Sequence, residues 1–199
     1  MAIDTGWERA YQEYPRFAAD FVWNDVIQTL EEFPGERVYE VGFGGGHNLL
    51  WARQHGWDVA GCEIAETPLR IASEKLLGAD LRLESMVDCT APSDSYDVVV
   101  DRAALTCLSP KDLKRALFHV RRILKPGGVF FFNPYGNFQT KPFPDCMPPV
   151  TLWEERAAHR LFPETKWEPI LFEHVMTEYE GYPGVEHTYR IRVRKIGGA

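Results

Sequence analysis

The chain has 199 residues, 45% of them hydrophobic and 13% aromatic, which is enough to enclose one full core in a single domain, residues 1–199. Its formal net charge of −7 argues against a general nucleic-acid or anionic-membrane surface. No apolar run reaches the length of a membrane span or a signal peptide, and Cys62, Cys89, Cys107 and Cys146 stand far apart without a CxxC pair; a cytoplasmic protein with reduced thiols and no metal is expected.

Residues 1–17 are polar and aromatic, with Trp7, Tyr11 and Tyr14 at near-helical spacing. Residues 17–33 read as an amphipathic helix with Phe21, Val22, Val26 and Leu30 on one side, ended by Pro34 and Gly35. The stretch the chain is organised around follows at 38–50, VYEVGFGGGHNLL: an apolar strand, a glycine turn, and the start of a helix. Gly42, Gly44 and Gly46 can take positive φ or lie against a ligand, and the helix from His47 onward turns free N–H groups toward it. A dinucleotide fingerprint wants its third glycine three residues after the second, and His47 stands there, while Glu40 precedes the first glycine by two.

Gly56 stops the helix at 48–55, and 58–63 is a second strand with Glu63 at its carboxyl end and Ile64 next to it. A carboxylate there suits the vicinal hydroxyls of a ribose. A helix at 65–77 and a strand at 81–85 lead to Asp88 and Cys89. The fourth strand, 96–101, is almost wholly apolar, as a central parallel strand is, and opens at Asp101-Arg102 toward the place where open α/β sheets bind ligands. Ser109 caps a helix at 110–125 that has Pro110 at its first position; its basic residues, Lys111, Lys114, Arg115, Arg121, Arg122 and Lys125, read as a solvated face. Leu124-Lys-Pro-Gly-Gly128 turns into a fifth strand at 129–133. Residues 137–150, with four prolines, form an irregular substrate-side loop. A helix at 151–162 and two strands, 167–179 and 185–196, close the chain as an antiparallel pair whose Tyr189, Ile191 and Val193 share a buried face.

Glu40-Val-Gly42-Phe-Gly44-Gly-Gly46 resembles the acidic-x-Gly-x-Gly-x-Gly motif of class I S-adenosylmethionine-dependent methyltransferases, and Glu63, Asp88, Asp101 and the Leu-Lys-Pro-Gly-Gly stretch fall in that family's order. The resemblance implies a doubly wound, mostly parallel seven-stranded α/β sheet with an antiparallel closing hairpin. It further implies S-adenosylmethionine as cofactor, S-adenosylhomocysteine as product, and a small-molecule acceptor without nucleic acid or membrane. It assigns the cofactor to Glu40, Gly42, Gly44, Gly46, Glu63, Ile64 and Asp101, the adenine edge to Asp88 and the Cys89 N–H, and makes the N-terminal segment, with Trp7 and Tyr11, a lid over cofactor and substrate. A narrower likeness is that of Asp101-Arg-Ala-Ala-Leu105 to the Asp-Arg-Gly-Ala-Leu segment of thiopurine methyltransferases and of the Pro148-Pro149 loop to the Pro-Pro-aromatic loop of thiol and halide methyltransferases; Ala103 stands for the glycine, Val150 for the aromatic, and no tryptophan precedes the acid of the fourth strand. Asp101 and Arg102 are expected beside the transferable methyl, Arg102 to hold the acceptor and Tyr135 to touch it. His47 is the candidate base if the acceptor, a thiol or else a hydroxyl or amine, needs one. An NAD-dependent oxidoreductase and a non-catalytic binding module are the rival readings.

Overall fold

The computed structural model describes residues 6–13, 22–140, 142–143, 145, 147–178 and 183–197. Seven strands make one sheet: β1 (Arg37–Val41), β2 (Asp58–Glu63), β3 (Asp80–Leu83), β4 (Tyr96–Asp101), β5 (Leu124–Phe132), β6 (Trp167–Glu178) and β7 (Val185–Lys195). Their order is β3-β2-β1-β4-β5-β7-β6, parallel from β3 to β5 and antiparallel where β7 pairs with β5 and β6. The helices are α1 (Trp7–Glu13), α2 (Asn24–Glu32), α3 (His47–Gln54), α4 (Glu66–Lys75), α5 (Pro110–Ile123) and α6 (Glu155–His159).

Strand order reverses between β1 and β4, and the sequence explains why those strands are central. Val38, Tyr39 and Val41 of β1 and Val98, Val99 and Val100 of β4 are buried on both faces, and parallel strands covered by helices on both sides require that. One core layer joins Tyr39, Val99, Phe130 and Phe132 to α5 and the closing pair; the other joins Val38, Val98 and Phe131 to α2, α3 and α4. Tyr189, Ile191 and Val193 of β7 are buried as their alternation predicts.

The differences from expectation are local. α2 is shorter than the pattern at 17–33, part of which, with Tyr14 and Phe21, lies outside the described residues. The last helix shrinks to α6 because Thr151 is drawn into a loop, its N–H donating to the Thr106 carbonyl at 2.7 Å. β5 begins at Leu124, with the Pro-Gly-Gly looped out between the Tyr96–Leu124 and Val98–Val129 pairs. Lys125 there reaches Asp97 at 2.8 Å, and Asp97 also accepts the Glu36 and Arg37 N–H groups, so the stretch ties β5 to the foot of β1. The basic face of α5 is not simply solvated: Arg122 donates to the carbonyls of Cys89 and Ala91 and Arg121 to that of Ile196. Cys62, Cys89 and Cys107 are free, while Cys146 lies outside the described residues. Among the described residues no helix is long and apolar enough to cross a membrane.

Candidate active site at the switch point

Beyond the carboxyl ends of β1 and β4 lies a cavity of about 640 Å³, inside the range of roughly 300–1,000 Å³ usual for small-molecule sites. Its floor is the glycine turn. Gly42, Gly44 and Gly46 all have positive φ, at 63°, 54° and 77°. A methyl on Gly42 would overlap that of Ala104, and one on Gly46 would meet Ala72 at 2.9 Å. Gly42 therefore lets the turn close on the β4 loop, whereas Gly46 lets α3 pack on α4. The Gly44 N–H donates to Glu63 Oε2 at 3.0 Å, and those of Ile64 and Ala65 donate to Oε1 at 2.7 and 3.1 Å. Three backbone donors thus hold one buried carboxylate at the end of β2, leaving it lone pairs for a ligand.

Two more carboxylates lie behind the wall. Glu40 Oε1 accepts from Asn48 Nδ2 at 2.6 Å, and Asp101 Oδ1 accepts from the Leu105 N–H at 2.8 Å. Glu40 Oε2 and Asp101 Oδ2 are buried without a partner among the described residues. Burial pushes Glu40 up to about 8 and Asp101 up to about 7, and it raises Glu63 as well. The field of Asp101 and Glu63 adds to the burial effect at Glu40. Unsatisfied buried acceptors that repel one another are stabilised by a cation and cost free energy without one.

α1 roofs the cavity with Trp7 and Tyr11. Ala65, at the N-cap of α4, has no side-chain oxygen to offer; Glu8 supplies it from 59 residues away, accepting from the Thr67 N–H at 2.9 Å and from its hydroxyl. The Tyr11 hydroxyl lies where a Gly44 side chain would be; burial, then the fields of Glu63 and Glu40, raise its pKa. Pro148 and Pro149 line the same cavity, and Pro148 is the neighbour of Gly6. Opposite, the Arg102 guanidinium stacks 3.5 Å from the Trp23 ring centroid and lies 3.8 Å from Glu186. The Trp23 N–H in turn donates to Asn48 Oδ1 at 3.1 Å, so a chain of contacts runs from Glu40 through Asn48 and Trp23 to Arg102. Ala103 follows at φ 60°, a left-handed conformation that disfavours an L side chain by about 1–2 kcal/mol and that glycine would adopt freely.

Of the expected residues, Trp7, Tyr11, Gly42, Glu63, Ile64, Asp88 and Arg102 line the cavity. Glu40, Gly44 and Asp101 support it from behind, and Gly46 serves helix packing. Three further expected residues do not line the cavity. His47 is not in the wall: its Nε2 lies 2.6 Å from Lys75 Nζ on α4, because the first residue of α3 faces that helix and the next, Asn48, faces Glu40. The Cys89 thiol turns inward to the Tyr39 hydroxyl at 3.8 Å, a contact that leaves the role expected of its backbone N–H untouched. Tyr135 stands behind Arg102 rather than at the cavity. Sequence reading passed over Trp23, Asn48, Glu84, Met86, Cys107, Asp112, Arg115 and Glu186. Trp23 and the α5 residues looked like ordinary faces of amphipathic helices, and only packing brings them here.

An α/β protein with reversed strand order, a glycine turn and a buried acid on the neighbouring strand is a nucleotide-cofactor binder of the doubly wound class. Residues 39–132 match the family described as "Methyltransferase domain". The chain is 30% identical over 139 residues to the phosphoethanolamine N-methyltransferase of Triticum aestivum, covering 63% of this chain and 27% of that one. It is 26% identical over 140 residues to the tRNA N(3)-methylcytidine methyltransferase Mettl2 of Drosophila melanogaster, covering 64% and 41%. This chain therefore spans about a quarter to two fifths of those relatives. A solved structure described as "Conversion of a Disulfide Bond into a Thioacetal Group during Echinomycin Biosynthesis" superposes with a TM-score of 0.73 at 18% identity, covering 96% of this chain and 92% of that chain. The match over residues 39–132, the methyltransferase relatives and the superposed folds together support a class I S-adenosylmethionine-dependent methyltransferase.

Proposed function

We propose that this single domain transfers the methyl group of S-adenosylmethionine to a small, soft nucleophile, with a thiol as the leading acceptor. The observation that carries the reading is the trio Glu40, Glu63 and Asp101 around the glycine turn. Buried carboxyls, two of them with an unpartnered oxygen, become acceptor-only once ionised and so suit a ligand that is cationic and rich in hydroxyl and amine donors. That cofactor supplies a methyl group already activated on a sulfonium.

The chain's own residues then have three tasks. Glu63 accepts from ribose hydroxyls, and Asp88 accepts from the nucleobase amine. Trp7, Tyr11, Pro148 and Pro149 exclude water, and Arg102, fixed by Trp23 and Glu186, donates hydrogen bonds that orient the acceptor; orientation contributes about 7–11 kcal/mol to such reactions. A thiolate acceptor reacts without a protein base; among the described residues that line the cavity the candidate bases are carboxylates, with no histidine or lysine. The wall carries Glu63, Glu84, Asp88 and Asp112 against Arg102 and Arg115, both of them ion-paired. That balance supports an unphosphorylated metabolite over tRNA. Amine methylation is the alternative, favoured by the name of the wheat relative, a phosphoethanolamine N-methyltransferase. Free thiols at Cys62, Cys89 and Cys107 suit a cytoplasmic setting.

Calorimetric titration with S-adenosylmethionine and S-adenosylhomocysteine, followed by a screen of thiols, amines and phenols, tests this reading. Micromolar binding and preferential thiol methylation are expected; failure to bind either compound would overturn it. Arg102→Ala is expected to impair acceptor use more than cofactor affinity, and equal loss of both would remove Arg102 from the acceptor side.

A further inference from the structure

On the β3 side of the cavity Asp88 ends a 3₁₀ turn, Met86–Asp88, that packs against α5. Its carboxylate does not stand alone. Arg115, one turn into α5, donates through Nη2 to Asp88 Oδ1 at 2.6 Å, and both residues line the cavity. Arg115 is itself placed by the helix start: Ser109 accepts from the Asp112 N–H at 3.2 Å and donates to Asp112 Oδ2 at 2.8 Å, which sets Asp112 Oδ1 4.0 Å from Arg115 Nη1. Glu84, the other carboxylate at this end, is committed to Thr90, from whose N–H and hydroxyl it accepts.

The Asp88 and Arg115 side chains are 69% and 52% exposed, and pairs that exposed contribute little to folding. What such a pair can do is fix a rotamer. A carboxylate has two oxygens; with Oδ1 held by Arg115, Oδ2 remains for a ligand. A carboxylate only accepts and a guanidinium only donates, so which of the two meets a nucleobase decides whether an amino or an oxo edge is favoured. Resting on the cofactor reading above, we infer that Arg115 is a positioning residue that aims Asp88 at the nucleobase and so sets selectivity for a 6-amino over a 6-oxo purine. The guanidinium, spent on Asp88, is kept from presenting its own donors to the base.

The test is calorimetry of S-adenosylhomocysteine and its 6-oxo counterpart, S-inosylhomocysteine, with the intact chain and Arg115→Ala, Arg115→Lys, Asp88→Ala and the double alanine variant, each checked for folding by thermal unfolding. Arg115→Ala is expected to weaken the amino compound about three- to fivefold, the scale of one such ion pair, while leaving the oxo compound unchanged; Arg115→Lys recovers part of the loss, and in the Asp88→Ala background the change at Arg115 has no further effect. Equal weakening of both compounds, no change in either, or an undiminished effect without Asp88 would overturn the inference. Failure of the unsubstituted protein to bind either compound would instead overturn the cofactor reading.

Discussion

The floor of the cavity is held by backbone groups. Three N–H donors converge on Glu63, the turn's own amides bond to the Cys62 carbonyl, and the glycines leave room for close packing. Its roof is held by side chains: Glu8 on Thr67, Trp7 and Tyr11 laid over the turn, Gly6 against Pro148. Backbone contacts between buried strand ends open only when the sheet opens, whereas a helix of seven residues held by side-chain contacts, the Glu8 carboxylate on Thr67 among them, can lift without opening the sheet. The same ligand thus meets a preformed surface on one side and a detachable one on the other.

The largest effect expected on this contrast comes from the floor. Gly42→Ala adds a methyl at positive φ against Ala104, and should destabilise the fold by about 2–5 kcal/mol and abolish cofactor binding. Gly46→Ala, equally left-handed but facing Ala72 and Leu76, should lower the thermal midpoint while leaving the cofactor affinity of the folded fraction intact. If the two behaved alike in a binding titration, the division of labour within the turn would be wrong. Next, Glu63→Ala should weaken S-adenosylhomocysteine by about 1.5–3 kcal/mol, the worth of hydrogen bonds to a charged group, and should also cost stability because three N–H groups lose their acceptor; an unchanged dissociation constant would take Glu63 out of the site.

Changing pH tests the floor without a substitution. Glu40 and Asp101 hold protons up to about 8 and about 7 in the folded chain and release them at ordinary carboxylate values when unfolded. The folded state therefore binds more protons than the unfolded state, and stability falls as pH rises between about 5 and 8. A cationic ligand favours the ionised carboxylates, so its affinity should rise over the same interval, with protons released on binding. Melting curves and calorimetry in buffers of different ionisation enthalpy would show the two trends crossing, and flat profiles would refute both. The smallest effect belongs to the roof. Glu8→Gln should lower overall affinity by only about 0.5–1 kcal/mol, expressed as faster cofactor dissociation in stopped-flow traces; a slower association with unchanged release would mean that the roof does not latch.

The floor was legible in the sequence because its parts are local: a strand, three glycines and an acid at the next strand's end are set by chain order and periodicity. The roof was legible only as an aromatic N-terminal segment and a proline-rich loop, since nothing in the residues near Glu8 points to Thr67. The Asp88–Arg115 pair spans 27 residues and the Trp23–Asn48 contact 25, distances at which helix periodicity gives a face but not its neighbour. His47 shows the opposite error. Adjacency to the glycine turn suggested a catalytic position, yet each helical step turns the side chain by about 100°, and one residue separates a half-buried histidine set against Lys75 from the asparagine that anchors Glu40.

The position of β7 bears on how the chain is made. Although it follows β6 in sequence, it lies between β5 and β6 in the sheet, so β6 has no place to pair until β7 exists. A growing polypeptide therefore displays the open edge of β5, with Phe130, Phe131 and Phe132 behind it, throughout synthesis of the loop, α6 and β6. Until β7 emerges, that phenylalanine-rich edge is the surface a chaperone would have to cover.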